Sequence, residues 1–246
     1  MESAENYTGK RAEKSAKGSS EQVAGKSAKK FAEQSAEKPL KKKGEYPEKS
    51  KYFPYERFRT YFKGRILEIG CADGNNTRFL REYYGMDRFY SLELSYQRLS
   101  RAASKTDNYM VNASGTNIPF RDSSFDFVYC SEVIEHLLSS ADQGLLADEI
   151  RRVLKPGGVA IITTPNHYLY RLFCLLTFSR PDQTHYTELT SFAFSQLLSK
   201  RFKKVRIEGV FGVLAPLFGI SLFRNLHTLL SRHPGLCKAL IAVCEK

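Results

Sequence analysis

Residues 65–76, Arg-Ile-Leu-Glu-Ile-Gly-Cys-Ala-Asp-Gly-Asn-Asn, limit the fold of this chain more than any other stretch. A short apolar run ends in a turn of small residues, and a pattern of helical spacing follows. That is a strand, a tight loop and a helix start, the layout of a nucleotide pocket in a doubly wound sheet. Gly70 and Gly74 let the backbone turn sharply and let a ligand approach it closely. Glu68 and Asp73 bracket the loop with carboxylates. Such a loop repels a pyrophosphate and attracts a ligand bearing positive charge. The Gly-x-Gly-x-x-Gly spacing of a dinucleotide reader is also missing.

Strand and helix patterns then alternate. Apolar runs predict strands at 65–69, 89–94, 109–112, 125–130 and 159–163. Helical spacing predicts helices at 75–84, 96–105 and 141–154. Asp73 is the expected cap of the first helix and Gly85 its stop. In the third, Leu145, Leu146, Ile150, Val153 and Leu154 are expected on one face, with Pro156-Gly157-Gly158 ending it. The strand at 159–163 is uniformly apolar, as a strand covered on both faces should be. This alternation predicts a parallel sheet with helices on both sides. A helix at 190–200, an alternating edge strand at 204–210 and a closing strand at 238–244 follow, the last two as a hairpin-like pair with a long apolar link. The fold class is therefore α/β: a doubly wound, mostly parallel seven-stranded sheet with an antiparallel C-terminal strand.

Residues 1–45 consist mostly of Lys, Glu, Ser, Ala and Gly, with Val23, Phe31 and Leu40 as the only large aliphatic or aromatic side chains besides Tyr7 and Tyr46 at its edge. They cannot bury enough surface to offset ordering, so a disordered tail is expected, with a transient helix near 21–37. Residues 46–246 form the folded domain, with substrate-side inserts expected near 166–190 and 211–236. Tyr52, Phe53, Tyr55, Phe58, Tyr61 and Phe62 open it as an aromatic cluster, expected to pack on the sheet. Of the net charge of +12, residues 1–60 supply half, with 15 Lys and Arg against 9 Asp and Glu. A basic tail suits nucleic acid or anionic lipid, but a solvated tail is the favoured reading. Five widely spaced cysteines and no Cys-x-x-Cys give neither a disulfide framework nor a zinc site, and His227 and His233 do not pair as metal ligands. No metal is expected. The N-terminus has no apolar signal core, and the apolar run 210–223 is too short to span a bilayer, which predicts a cytoplasmic protein.

Four ordered blocks carry a family resemblance: "KGRILEIGCADG", "FYSLELS", "ASGTNIPFRDSSFDFVYCSEVIEHL" and "EIRRVLKPGGVAIITTPN". Across about 63–166 the chain resembles a class I S-adenosylmethionine-dependent methyltransferase, nearest the small-molecule branch that includes ubiquinone and menaquinone biosynthesis enzymes. The resemblance implies a Rossmann-like sheet with S-adenosylmethionine as co-substrate. It places the cofactor against Gly70, Cys71, Ala72 and Gly74, with Glu68 near the methionine amino group. A glycine is usual where Ala72 stands, and alanine serves there if its φ stays negative. Glu93 is implied on the ribose hydroxyls and Leu94 on the adenine face. Ser114, in a place where the family often has Asp, and Gly115 are implied near the adenine edge. Cys130 and Ser131 should line the methionine portion.

His136 and His185 are the candidate general bases, with a structural role as the alternative for each. An Asn-Pro-Pro-Tyr-like motif of base-amino methylation is absent, as is the Pro-Cys nucleophile of cytosine C5 enzymes. The apolar segments 168–178 and 210–223 suggest a small hydrophobic acceptor, and leave open contact with a membrane surface. Two alternatives stand beside small-molecule methylation. One is RNA modification aided by the basic tail, and the other is a cofactor-binding module without catalysis.

Overall fold

A computed structural model describes residues 58–84, 89–212 and 233–246. The tail, Tyr52, Phe53, Tyr55, Gly85 and most of the second apolar segment lie outside the described residues. The strands are β1 (Ile66–Ile69), β2 (Phe89–Glu93), β3 (Tyr109–Asn112), β4 (Phe125–Ser131), β5 (Leu154–Pro165), β6 (Lys204–Gly212) and β7 (Cys237–Glu245). The helices are α1 (Asn75–Tyr84), α2 (Tyr96–Ala103), α3 (Ser140–Val153), α4 (His167–Leu176) and α5 (Ser191–Ser199). One sheet holds all seven strands in the order β3-β2-β1-β4-β5-β7-β6. β1 to β5 run parallel, while β7 is antiparallel to both β5 and β6. The expected edge strand and closing strand are thus β6 and β7.

Strand alternation builds two apolar layers. Leu67, Ile69, Val128, Cys130, Ala160 and Ile162 point to one face, against Leu146, Ile150 and Val153 of α3 and Phe194 and Leu198 of α5. Ile66, Phe127, Tyr129 and Ile161 point to the other, against Leu80 of α1 and the lead-in Phe58 and Phe62. The Phe62 ring lies 4.7 Å from that of Phe127, so this part of the aromatic cluster is core.

Local chemistry sets the helix starts. Ser139 accepts from the Asp142 amide at 3.1 Å and donates to its carboxylate at 2.7 Å. Thr190 accepts from Ala193 N at 3.2 Å. Two expectations at α3 are corrected. Leu145 is exposed, because only every third or fourth position faces the sheet, and Leu154 belongs to β5. Asp73, the expected cap of α1, instead turns its carboxylate to Arg101 Nε of α2 at 2.8 Å. Register aligns the strand tips Ile69, Leu92, Cys130 and Ile162 in one row. The strand order reverses between β1 and β4, so a crevice opens beyond those tips.

Candidate functional site

The turn after β1 is tied to the tip of β2. Gly70 N and Cys71 N both donate to Leu92 O, at 2.8 and 3.2 Å. Gly70 has φ +77°, and a Cβ there would collide with Val133 Cγ2. Gly74 has φ +74°, with Ala102 2.8 Å from any added Cβ. Both positions exclude a side chain. Ala72 also lies in the left-handed region, at φ +48°, so the condition set for alanine is not met. The turn imposes a conformation that glycine adopts without strain, and alanine takes it at a cost of roughly 1 kcal/mol.

Glu93 ends β2 with little exposure. Its Oε2 accepts from Ala72 N at 3.0 Å and its Oε1 from Ser95 N at 2.8 Å. Each oxygen keeps a further lone pair, so the carboxylate is oriented and still able to accept from two hydroxyls. Leu94, beside it, is 70% exposed, an apolar side chain at the crevice. Asn112 braces this corner by donating from Nδ2 to the carbonyls of Glu93 and Leu94, both at 2.8 Å. Asn112 is a site residue that the sequence analysis does not single out; its position at the tip of β3, beside Glu93, is the signal that points to it.

Glu68 is buried under the loop. Its Oε2 accepts from Thr77 Oγ1 at 2.5 Å and from Ser91 Oγ at 3.0 Å. Burial pushes its carboxyl up to about 7, with Thr77 and Ser91 pulling the other way. Of the two acids expected to bracket the loop, Glu68 thus faces α1 and Asp73 faces Arg101. The acid whose carboxylate bonds the loop amide is Glu93.

Ser114 accepts from Thr116 N at 3.2 Å and shares a hydrogen with Thr116 Oγ1 at 2.8 Å, which closes the loop after β3. A Cβ on Gly115 would meet Leu146 Cδ1 at 2.9 Å and Ile69 Cγ2 at 3.2 Å, so that glycine permits close packing on the core. Cys130 has no exposed surface and its thiol is pushed up by burial, so it sits in the core rather than on the crevice wall. Ser131 Oγ is 2.9 Å from Thr163 Oγ1.

A second polar cluster forms where β4 and β5 end. Glu132 has φ +54°, and its Oε1 accepts from Thr163 Oγ1 at 3.0 Å. The surrounding protein desolvates this carboxyl and raises its affinity for a proton, although water still reaches the residue from the crevice. Glu135 lies in the 3-10 turn Ile134–His136 and is fully buried. Burial, and then the Glu132 charge, push its carboxyl up to about 9. Glu135 Oε2 accepts from Thr164 Oγ1 at 3.2 Å.

His136 and His185 meet here, with ring centroids 4.9 Å apart. His136 is exposed and holds Nδ1 2.9 Å from Thr184 O, while His185 holds Nδ1 3.2 Å from Glu188 Oε1. Glu188 also receives His167 at 3.0 Å and Arg171 at 3.0 Å. The segment carrying His185 is fastened to the turn by backbone bonds: Tyr186 N and Thr187 N donate to Glu135 O at 2.9 and 3.1 Å. Gln143 Nε2 adds bonds to Ile134 O at 3.2 Å and Thr187 O at 2.7 Å. Histidines 49 residues apart in sequence are thereby brought to one place. The structure therefore gathers the predicted residues into two groups, one around Glu93 and one around Glu135.

Residues 67–162 match a family model described as "Methyltransferase domain". A 2-methyl-6-phytyl-1,4-hydroquinone methyltransferase of Synechocystis sp. is 30% identical over 105 residues, 41% of this chain and 32% of that protein. A sterol 24-C-methyltransferase of Schizosaccharomyces pombe is 33% identical over 116 residues, 43% of this chain and 30% of that protein. These matches span about a third of the length of either relative. Among solved structures, a SAM dependent methyltransferase from Archaeoglobus fulgidus aligns with TM-score 0.61 at 18% identity, over 78% of this chain and 91% of that one.

Proposed function

We propose that the chain is a methyltransferase of the class I, S-adenosylmethionine-dependent kind and that it methylates a small apolar acceptor. The observation that carries this reading is the Glu93 carboxylate, held by two backbone amides beside a turn that tolerates no side chain at Gly70. When bound, S-adenosylmethionine supplies a methyl group on a sulfonium, ready for in-line displacement. The protein's part is mainly to align the two reactants and exclude water.

Each residue of the first group has a share in that work. Glu93 accepts from the ribose hydroxyls and Leu94 offers its exposed side chain to the adenine face. Ser114 lies at the adenine edge, with a lone pair to spare if its own hydrogen goes to Thr116. Gly70, Cys71, Ala72 and Gly74 give the methionine portion a backbone wall. Glu68, one layer below, adds negative potential under the ammonium and sulfonium. Cys130 and Ser131 contribute through the β4 tip, Cys130 by filling space behind it.

The acceptor side is framed by the Glu135 group and by α4. Tyr168, Leu172, Leu175 and Leu176 of α4 are exposed, and Phe178 just beyond it is 98% exposed. An apolar surface beside a polar cluster suits an acceptor with a greasy body and one polar, reacting end. Among the described residues no helix is long and apolar enough to cross a membrane. Calorimetric titration with S-adenosylmethionine tests the reading. Binding to the native chain should weaken by ten- to a hundredfold in Glu93→Ala, and negligible binding to both would defeat it.

A further inference from the structure

The geometry points to a second binding site, at the end of the sheet away from the crevice, that takes a phosphate group as the free ion or as a small phosphomonoester. The crevice lies beyond the tips Ile69, Leu92, Cys130 and Ile162. At the opposite ends of β1, β4 and β5 there is a cavity of about 640 Å3, lined among others by Arg65, Arg121, Ser123, Asp126 and Lys155. Arg65 directly precedes β1, and residues 121–124 lead into β4. This volume lies in the range of small-ligand pockets and leaves room for the organic part of an ester.

Arg65 is the anchor of the site. Its Cζ lies 4.5 Å from the centroid of the Tyr90 ring and 5.1 Å from that of Phe125. These two rings pack on each other and on Phe120 with centroids 4.9–5.5 Å apart, so the guanidinium rests on a rigid aromatic base. Ring contact fixes its place and gives its N–H groups no oxygen. Nε is buried without a hydrogen-bond partner, and no acid among the described residues pairs with the guanidinium. An arginine held in place with its donors unspent is prepared for an oxyanion, whose oxygens match its planar fork. Ser123 adds a hydroxyl donor to the lining.

The acids of the cavity are already committed. Asp126 Oδ2 accepts from Arg65 N at 2.8 Å, and both Asp126 oxygens take Lys155 Nζ at 2.8 Å. Gly64, at φ +73°, brings the backbone so close that an added Cβ would stand 2.6 Å from Asp126 Oδ2, which leaves that carboxylate little freedom to turn. Asp122 is held by Arg152 Nη1 at 2.8 Å, and Arg152 also takes Glu149. Arg121, exposed at the rim, has no acid partner among the described residues. Four cations thus stand against three acids, and all three acids are spent on Lys155 and Arg152. The positive surplus falls to Arg65 and Arg121, in a concave place that concentrates anions. The other end of the sheet gathers Glu68, Glu93, Glu132 and Glu135, so the two ends select ligands of opposite charge.

The full chain is titrated by calorimetry with inorganic phosphate and with glycerol 3-phosphate, in a chloride buffer of fixed ionic strength. One ligand per chain is expected. Binding should weaken by about tenfold or more in Arg65→Gln and in Arg121→Gln, the loss expected of a charge-assisted hydrogen bond. It should stay at the native level in Arg180→Gln, which removes an equal charge from an exposed position beyond α4. Melting curves report folding, and the exposed Arg121→Gln keeps the test decisive if Arg65→Gln does not fold. Saturable binding of inorganic phosphate alone supports the site with the free ion as its ligand, and tighter binding of the ester supports it with a phosphomonoester. The proposal fails if neither probe binds saturably, or if Arg121→Gln binds as well as native. It fails equally if Arg180→Gln weakens binding as much as Arg121→Gln, since overall charge would then explain the effect.

Discussion

Replacing Glu68 with glutamine should stabilise the ligand-free protein, relative to the native one, by more at pH 8 than at pH 5. The folded carboxyl sits at about 7, against an ordinary value of 4.5, because burial penalises its charged form. The folded state therefore holds the proton more tightly than the unfolded chain. Such a group contributes its stability below the unfolded value and loses it as pH rises through the folded one. The rise from 4.5 to about 7 is worth on the order of 3 kcal/mol at 1.36 kcal/mol per tenfold change in proton affinity. Glutamine is neutral throughout and keeps an oxygen for Thr77 and Ser91, the two donors on Oε2. Its amide group brings a constant cost or gain of its own. The change in the gap between the two proteins from pH 5 to pH 8 isolates the charge. At ~2–4 °C per kcal/mol for a domain of this size, that change should approach 6–12 °C in Tm at most. Scanning calorimetry at pH 5, 6, 7 and 8 measures it. Parallel curves for native and Glu68→Gln, or a gap that grows in favour of the native protein, would refute the reasoning. Adding S-adenosylmethionine at pH 8 should narrow the gap, since its ammonium and sulfonium offset the buried charge from above.

Three glycine-related changes probe backbone conformation at and away from the turn after β1. Gly70→Ala combines a φ of +77° with a Cβ driven into Val133, and should cost more than ~2 kcal/mol by thermal melting while abolishing donor binding. Gly157→Ala, at φ +74° with nothing within 4 Å of the new Cβ, should cost only ~1 kcal/mol and spare donor binding, which separates clash from backbone strain. Ala72→Gly relieves the φ of +48° but loosens the unfolded chain, so a net gain of at most ~1 kcal/mol is expected, and a loss of stability would show that the alanine methyl packs usefully.

The seven strands and their helices are readable because local patterns agree with the fold: an apolar run, a small-residue turn, a capped amphipathic helix, several times over. The same agreement makes the position of Glu93 readable, an acid at the end of β2 whose carboxylate meets the amide of Ala72 in the loop after β1. Ala72 is harder, because the identity of a residue says nothing about φ when the turn itself dictates it. Asp73 departs from its expected capping role because its partner, Arg101, comes from another helix. α4 is legible only as an apolar insert, with no polar alternation to reveal its period. The Glu135 group is hidden for a different reason. His185 is 50 residues from Glu135 in sequence, and what joins them is a set of backbone bonds from 186–187 to the carbonyl of Glu135, which no side-chain pattern announces.

The distribution of charge ties the two groups into one argument. A chain with net charge +12 gathers Glu68, Glu93, Glu132 and Glu135 at neighbouring tips of β1, β2 and β4. Three of these are pushed toward protonation by burial, and the Glu132 and Glu135 carboxyls share a hydrogen bond. Such an arrangement weakens the ligand-free fold, although the chain has basic residues in plenty. Acids concentrated at a crevice in this way are best understood as sites for cations that arrive from outside. On the donor side the proposed cation is a sulfonium with its ammonium, over Glu68 and Glu93. The two acids differ in geometry: Glu93 is oriented by amides and left open at both oxygens, while Glu135 is enclosed and takes Thr164 Oγ1. Binding of the methyl donor should therefore raise thermal stability by itself, and that increment should shrink when Glu93 is made neutral.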